Sequence, residues 1–375
     1  MDFRLTEEQL MLQKMLRELS QHEIEPLAAQ IEKTGRLPDD LIKRLAGLGL
    51  FGMTIPKDYG GAGMNNLASV LAVEQLAQSG TAAWWLVALN NSIPECIYHF
   101  ATEAQKKKFL KPLCDGTAYS SIMFTEENTG SDPEALTSTA KPDGNDYLIN
   151  GMKRFITFGA RNGYATFYAK DETGKCSAFI IEKNVAGYSA PKIWDLMGEG
   201  GIEAADVYLE NVRVPGENLL GERGKGFNAL LYWISTEKIE QCAASVGLAQ
   251  AALDEAIKYA KSRVVRGKPM SEMQGIRWML AEMYAKIQAS RWLTYRTAYL
   301  QDQEDPNWMT EAAATKMFVV PATMKAVEIA RRIHGAYGYT REVKVERLYR
   351  AICGASAIAV SLEINKSIVG ASLAR

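Results

Sequence analysis

Phe124-Thr-Glu-Glu-Asn-Thr-Gly-Ser-Asp132 and, further along, Tyr147-Leu-Ile-Asn-Gly-Met-Lys-Arg-Phe-Ile-Thr157 are the stretches from which the rest of the chain can be read. The first is a strand end running into a polar Gly-Ser turn. Its Thr125 hydroxyl and its backbone N–H groups can point at a ligand, and Phe124 adds an aromatic edge. In the second, a period of two sends Arg154 and Ile156 to one face and Phe155 and Thr157 to the other. Phe155 is then placed to cover one ring of a planar heteroaromatic cofactor while Thr157 bonds its edge. Each block alone has an ordinary use, as a turn cluster or a core aromatic. Together they predict two walls of one site.

Composition sets the frame. A chain of 375 residues can bury a large core in more than one layer or domain. A net charge of −1 with mixed signs favours neither nucleic acid nor an anionic membrane as partner. The five cysteines (Cys96, Cys114, Cys176, Cys242, Cys353) are scattered and lack metal-type spacing, which fits a reduced, cytoplasmic protein and predicts no metal. The opening Met1-Asp-Phe-Arg-Leu-Thr-Glu-Glu-Gln9 reads as an acidic helix start and not as a targeting segment. No apolar run reaches the roughly 18 residues a spanning helix needs.

Outward from the two blocks, the pattern changes twice. Residues 1–118 read as helices: Thr6 with Glu8 and Gln9 is a start signal, and Leu10, Leu12, Met15 and Leu16 recur near helical period. Residues 119–225 read as a small β-domain, with β-rich runs at 120–124, 147–149, 165–169, 178–181 and 205–209 and a hairpin turn at Asp143-Gly-Asn145. Residues 226–375 return to helical period over 228–262, 270–302 and 308–334. The expected fold is α+β, mainly α: an N-terminal helical domain, a middle β-domain and a C-terminal four-helix bundle. The order lacks βαβ alternation, and no strand-linked GxGxxG or Walker sequence is present.

The two opening blocks resemble the flavin-contact segments of the acyl-CoA dehydrogenase family, which read Thr-Glu-Pro-x-Ala-Gly-Ser-Asp and Asn-Gly-x-Lys-x-Trp-Ile-Thr. Here Glu127, Thr129 and Phe155 replace the proline, alanine and tryptophan. Pro56-Lys-Asp-Tyr-Gly-Gly61, Gly221-Glu-Arg-Gly-Lys-Gly-Phe227, Tyr259 to Arg263 to Gly267 and on to Gln274, and Gly335-Ala-Tyr-Gly-Tyr339 resemble further blocks in the same order. The resemblance covers essentially the whole chain. It implies the three-domain order above, FAD as cofactor, α,β-desaturation of an acyl-CoA or the reverse reduction of an enoyl-CoA, an electron-transfer flavoprotein as partner, and a homotetramer or dimer of dimers. It implies flavin contacts at Phe124, Thr125, Ser131, Phe155, Thr157, Arg263, Gln274, Gly335, Ser361 and Glu363. Ser131, Asn91 and Lys238 fall at implied substrate contacts.

The reaction needs a carboxylate to remove the acyl α-proton. The position of the family's usual C-terminal glutamate is occupied by Ala359. A branch of the family that includes isovaleryl-CoA dehydrogenase takes its base from an earlier helix, and that position here is Glu237, with Glu240 one turn along as a second candidate. Arg266 and Arg332 replace the usual Phe and Gln, and Ala336, Ala351 and Val360-Ser361 also depart. Either the two arginines supply new donors to the flavin diphosphate, or the adenosine half of the site has decayed or belongs to another chain. His334 reads as a capping or flavin-side residue. Trp84-Trp85 and Tyr232-Trp233 are either acyl-pocket walls or core. Two other functions stay open beside the dehydrogenase: non-redox elimination on a CoA thioester, and a non-catalytic partner subunit.

Overall fold

The computed structural model describes residues 4–374; residues 1–3, where the expected helix start opens, lie outside them. The first helices are α1 (Glu7–Leu19), α2 (Ala28–Thr34), α3 (Asp39–Gly47), α4 (Asn66–Ala77), α5 (Ala83–Phe100) and α6 (Glu103–Cys114). α1 begins on a reciprocal cap. Thr6 Oγ1 accepts from the Gln9 N–H at 3.2 Å, and Gln9 Oε1 accepts from the Thr6 N–H at 3.0 Å. α5 continues through Pro94, which has no N–H to give the Asn90 carbonyl. The Gly52 N–H donates to that carbonyl at 2.8 Å, so the break in the helix ladder becomes a tie to the neighbouring loop.

The sheet follows as β1 (Tyr119–Met123), β2 (Thr139–Asp143), β3 (Asp146–Ile156), β4 (Gly163–Lys170), β5 (Cys176–Glu182), β6 (Tyr188–Ile193), β7 (Ala205–Pro215) and β8 (Leu219–Leu220). Its order is β6-β7-β3-β2-β4-β5-β8, with β1 parallel to β4. The hairpin at Gly144-Asn145 joins β2 to β3 as expected, Asp143 pairing with Asp146. β2 and β6 carry no clear strand signal, because Pro142 and Pro191 fall inside them. The sheet tolerates both. β2 meets β4 only at Thr139, and the β6–β7 register slips between Ser189 and Lys192. Inside, Met123, Ile149, Phe167, Phe179, Val207 and Val212 make a small separate core.

The chain then returns to helices: α7 (Gly226–Ser262), a short hairpin β9 (Val264–Val265) and β10 (Lys268–Pro269), α8 (Gln274–Asp302), α9 (Trp308–Ile333), α10 (Lys344–Gly354) and α11 (Leu362–Leu373). The α+β, mainly helical expectation holds. α7 is the central helix, buried almost continuously from Ser235 to Leu253 and packed against α4, α5, α8 and α9. Its alanines and Gly247 allow this. A Cβ on Gly247 would lie 2.1 Å from the Glu74 carbonyl oxygen of α4. Gly247→Ala is expected to force α4 and α7 apart and destabilise the protein by about 1–3 kcal/mol in denaturant unfolding.

Candidate active site

The β-side of the site is built on a buried ion pair. Glu126 Oε1 lies 2.7 Å from Lys153 Nζ, and both side chains are almost fully shielded from solvent. The ammonium also donates to the carbonyls of Phe124 at 3.1 Å and Tyr168 at 2.7 Å. The other Glu126 oxygen accepts from the Thr137 N–H and hydroxyl. Burial alone would raise the Glu126 carboxyl, but Lys153 and these donors bring it down to about 2. Burial depresses the Lys153 ammonium to about 8 even with its partner in place. The ion pair therefore ties the Phe124–Thr129 turn to β3, and the Arg154 N–H adds a bond to the Thr125 carbonyl at 2.8 Å.

The period-two expectation for Arg154 to Thr157 fails at this point. Between Lys153 and Ile156, three steps on β3 match two on β7, from Val207 to Ala205. That extra residue is a bulge, and Phe155 takes a φ of +58° within it. Arg154, Phe155, Ile156 and Thr157 consequently all line one cavity, where strict alternation would have turned two of them away. Phe155 is half exposed and packs on Trp194 with ring centroids 4.9 Å apart. Lys183 is a second buried lysine. It donates to Ser121 Oγ at 3.0 Å and the Phe158 carbonyl at 3.1 Å, while Ser121 donates to the Thr157 carbonyl at 2.9 Å.

The cavity, of ≈ 610 Å³, lies between these strand ends, α5, α7 and the 357–361 segment that links α10 to α11. Trp85 and Leu89 face it from α5, and Leu230, Trp233, Ile234 and Glu237 face it from α7. Glu237 is the carboxylate among its described lining residues. The side chain is 1% exposed; Oε2 lies 3.5 Å from Ser92 Oγ, and Oε1 has no partner among the described residues. Burial pushes this carboxyl up to about 8, with the Lys316 charge pulling it down and Glu199 pushing it up. Trp233 donates its indole N–H to Ser92 Oγ at 3.2 Å. Trp84 and Trp85 donate theirs to Glu199 at 3.2 and 2.9 Å, which fixes the plane of the cavity-lining indole.

Of the residues singled out in the sequence, Phe124, Thr125, Ser131, Phe155, Thr157, Glu237 and Ser361 line this one cavity. The others lie elsewhere. The Asn91 amide is consumed in the fold, donating to the carbonyls of Leu50 and Val87 and accepting from the Met53 N–H. Lys238 is buried on α7 outside the lining, and Glu240 accepts from Ser69 Oγ at 3.0 Å. Arg263, Arg266 and Gln274 are exposed around the β9–β10 hairpin, whose turn holds Arg266 at a φ of +51° before Gly267. Arg332, Gly335 and Glu363 are exposed at the end of α9 and the start of α11. His334 caps α9 through Nδ1 and the Ala330 carbonyl, 2.8 Å apart, and stacks on Tyr259. Trp84 and Tyr232 stay in the packing, while Trp85 and Trp233 reach the cavity. Lys183, Lys316 and Glu199 were not anticipated; a lone lysine within the apolar run of α9 was the one available signal.

The residues present fit a flavin. The hydroxyls of Thr125, Thr157 and Ser131 make no side-chain hydrogen bond with any described residue, and an exposed aromatic plane stands beside them. An aqueous turn has no need of such a set; the polar edge of a planar ring does. Comparison with known proteins agrees. The N-terminal, middle and C-terminal domains of acyl-CoA dehydrogenase match residues 6–117, 121–212 and 224–374. The chain belongs to the acyl-CoA dehydrogenase family. The members are FAD flavoproteins, oxidoreductases acting on CH–CH bonds. The chain is 37% identical to acryloyl-CoA reductase (NADH) of Anaerotignum propionicum over 93% of this chain and 90% of that one. It is 36% identical to the caffeyl-CoA reductase–Etf complex subunit CarC of Acetobacterium woodii over 92% of each. The solved butyryl-CoA dehydrogenase of Megasphaera elsdenii superposes with a TM-score of 0.97 at 32% identity, covering 100% of both chains.

Lys153→Met would leave the Glu126 carboxylate buried without its cation. It is expected to cost about 3–5 kcal/mol in denaturant unfolding at neutral pH and to lower the flavin content of the purified protein. In the unmutated protein the contribution of a lowered carboxyl is complete above its ordinary value of 4.5 and is lost as pH falls toward about 2. The difference between variant and parent should therefore shrink in acid.

Proposed function

We propose that this chain oxidises an acyl-CoA to an enoyl-CoA, or runs the reverse reduction, with Glu237 as the base. The observation that carries this reading is the buried, unpartnered Glu237 oxygen on the wall of the cavity that also presents Thr125, Phe155 and Thr157. A fold leaves such an atom unbonded at a cost, and a reacting ligand accounts for it. When bound, FAD supplies a two-electron carrier that takes or returns a hydride at the acyl β-carbon. Thr125, Thr157 and Ser131 would hold its polar edge and Phe155 would cover its ring.

In the oxidative direction the Glu237 carboxylate removes the α-proton and becomes the neutral acid. In the reductive direction the neutral acid returns that proton to the α-carbon. A carboxyl near 8 suits both, because neither form is strongly disfavoured near neutrality. Trp85, Leu89, Leu230, Trp233 and Ile234 exclude water from the reacting carbons. Ala359, in the 357–361 wall, supplies no acid, so the proton chemistry rests on α7.

Arg263, Arg266, Gln274, Arg332, Gly335 and Glu363 are too dispersed on one chain to join the cavity. Their proposed role is to meet the FAD of another copy, in a homotetramer or dimer of dimers. The proposed redox partner is an electron-transfer flavoprotein, as the relative in an Etf complex suggests. No helix among the described residues is long and apolar enough to cross a membrane, and a cytoplasmic location is proposed. The proposed domain boundaries follow residues 118 and 225.

The test is anaerobic addition of a panel of acyl-CoAs to the purified flavoprotein, with the flavin absorbance recorded. Bleaching is expected, at a rate that rises with pH toward about 8 as Glu237 ionises. Glu237→Gln should keep its flavin and slow bleaching by a factor of about 10²–10⁴. Flavin that stays oxidised while product forms would indicate elimination, and protein that never binds flavin would indicate a partner subunit.

A further inference from the structure

The 357–361 segment is an unusual piece of backbone. Ala359 and Val360 have φ values of +51° and +74°, a region that a β-branched residue enters only when its surroundings force it there. The surroundings are a lysine. Lys316, on α9, is fully buried, and its ammonium donates to three consecutive carbonyls: Ile358, Ala359 at 3.0 Å and Val360 at 2.8 Å. From the other side, the Asn365 amide of α11 donates to the carbonyls of Val360 and Ser361 at 3.2 and 2.8 Å.

Peptide planarity carries the consequence to the cavity. In a trans peptide the N–H points opposite to the C=O. Carbonyls gathered on Lys316 therefore turn the N–H groups of Ala359, Val360 and Ser361 away from α9. None of the three donates to a described residue, and all three residues line the cavity. The same ammonium acts on Glu237 across the helix pair, lowering that carboxyl against its burial.

We propose that Lys316 is a positioning residue for the reaction at this cavity: it holds the 358–360 backbone in its strained form, with three N–H donors facing the ligand. This rests on the reading of Glu237 as the base. The other titratable groups around the pair are Glu199 from the 198–201 turn, Glu240 on α7 itself, and Lys238 and Cys242 beside the ammonium. Glu199 and Glu240 repel a second negative charge on Glu237, and Lys238 opposes the charge on Lys316.

The experiment compares the parent with Lys316→Met and Lys316→Gln as purified flavoproteins, following the pH dependence of flavin bleaching by a reactive acyl-CoA. Lys316→Met removes both donors and charge; bleaching should slow by about a hundredfold, the order of loss expected from a displaced reacting group. Its rising pH limb should move up by about one unit, because loss of the cation raises the Glu237 carboxyl. Lys316→Gln keeps two donors without the charge, so it should show the same alkaline shift with a smaller loss of rate, and it provides the readout if the methionine variant does not fold. Parental rates and an unshifted limb in the variants would overturn the role of Lys316 while leaving Glu237 as base. A parent whose flavin is not bleached, or a Glu237→Gln variant that bleaches normally, would overturn both.

Discussion

A buried ammonium bonded to backbone carbonyls is the interaction on which this cavity depends. Lys153 ties the end of β1 and the middle of β4 to β3, Lys183 ties the chain after Thr157 to β1, and Lys316 ties the segment after α10 to α9. Each joins stretches that no single strand or helix ladder joins: Phe124 lies just past β1 and Tyr168 within β4, Phe158 in a turn, and residues 358–360 in a strained loop. An ammonium can do this because it carries three donors on a flexible stem and meets carbonyls from several directions. The cost is desolvation. Burial depresses all three lysines, to about 8, about 7 and about 8. Of the three, only Lys153 has a carboxylate at bonding distance among the described residues to offset that cost.

The acids on the helical side show the reverse. Glu199 and Glu237 are held up to about 7 and about 8 chiefly by burial. A carboxyl raised in this way contributes stability below its ordinary value, and that contribution is lost as pH rises through the raised value. The fold thus accepts a loss of stability at the pH where a base is useful, and such a concession is characteristic of reacting groups.

Much of this was legible in sequence because it is local. Helical period places α7, α8 and α9 to within a few residues, and the Thr6–Gln9 cap, the Gly144-Asn145 turn and the Thr125 and Thr157 walls each need only their own neighbours. Glu237 was reachable through its spacing to Gly247 in a family block. The three lysines were not legible, because the carbonyls they hold lie far away in the chain: Lys316 meets residues 358–360 only after α9, α10 and their turn have folded. The bulge at Phe155 was missed for a related reason. A period of two describes a strand, and it cannot show where pairing with β7 slips by one residue. Asn91 is the converse case, a polar residue beside the site whose amide the backbone takes up entirely.

Whether the unpartnered Glu237 oxygen is where the acyl α-proton goes is the central question. The most direct measurement is solvent-deuterium incorporation at the α-carbon of a bound acyl-CoA, read by mass spectrometry for the parent and for Glu237→Gln at equal flavin content. The account requires incorporation by the parent and none above background by the variant. Incorporation that persists in the variant would contradict it and place the proton chemistry elsewhere in the cavity.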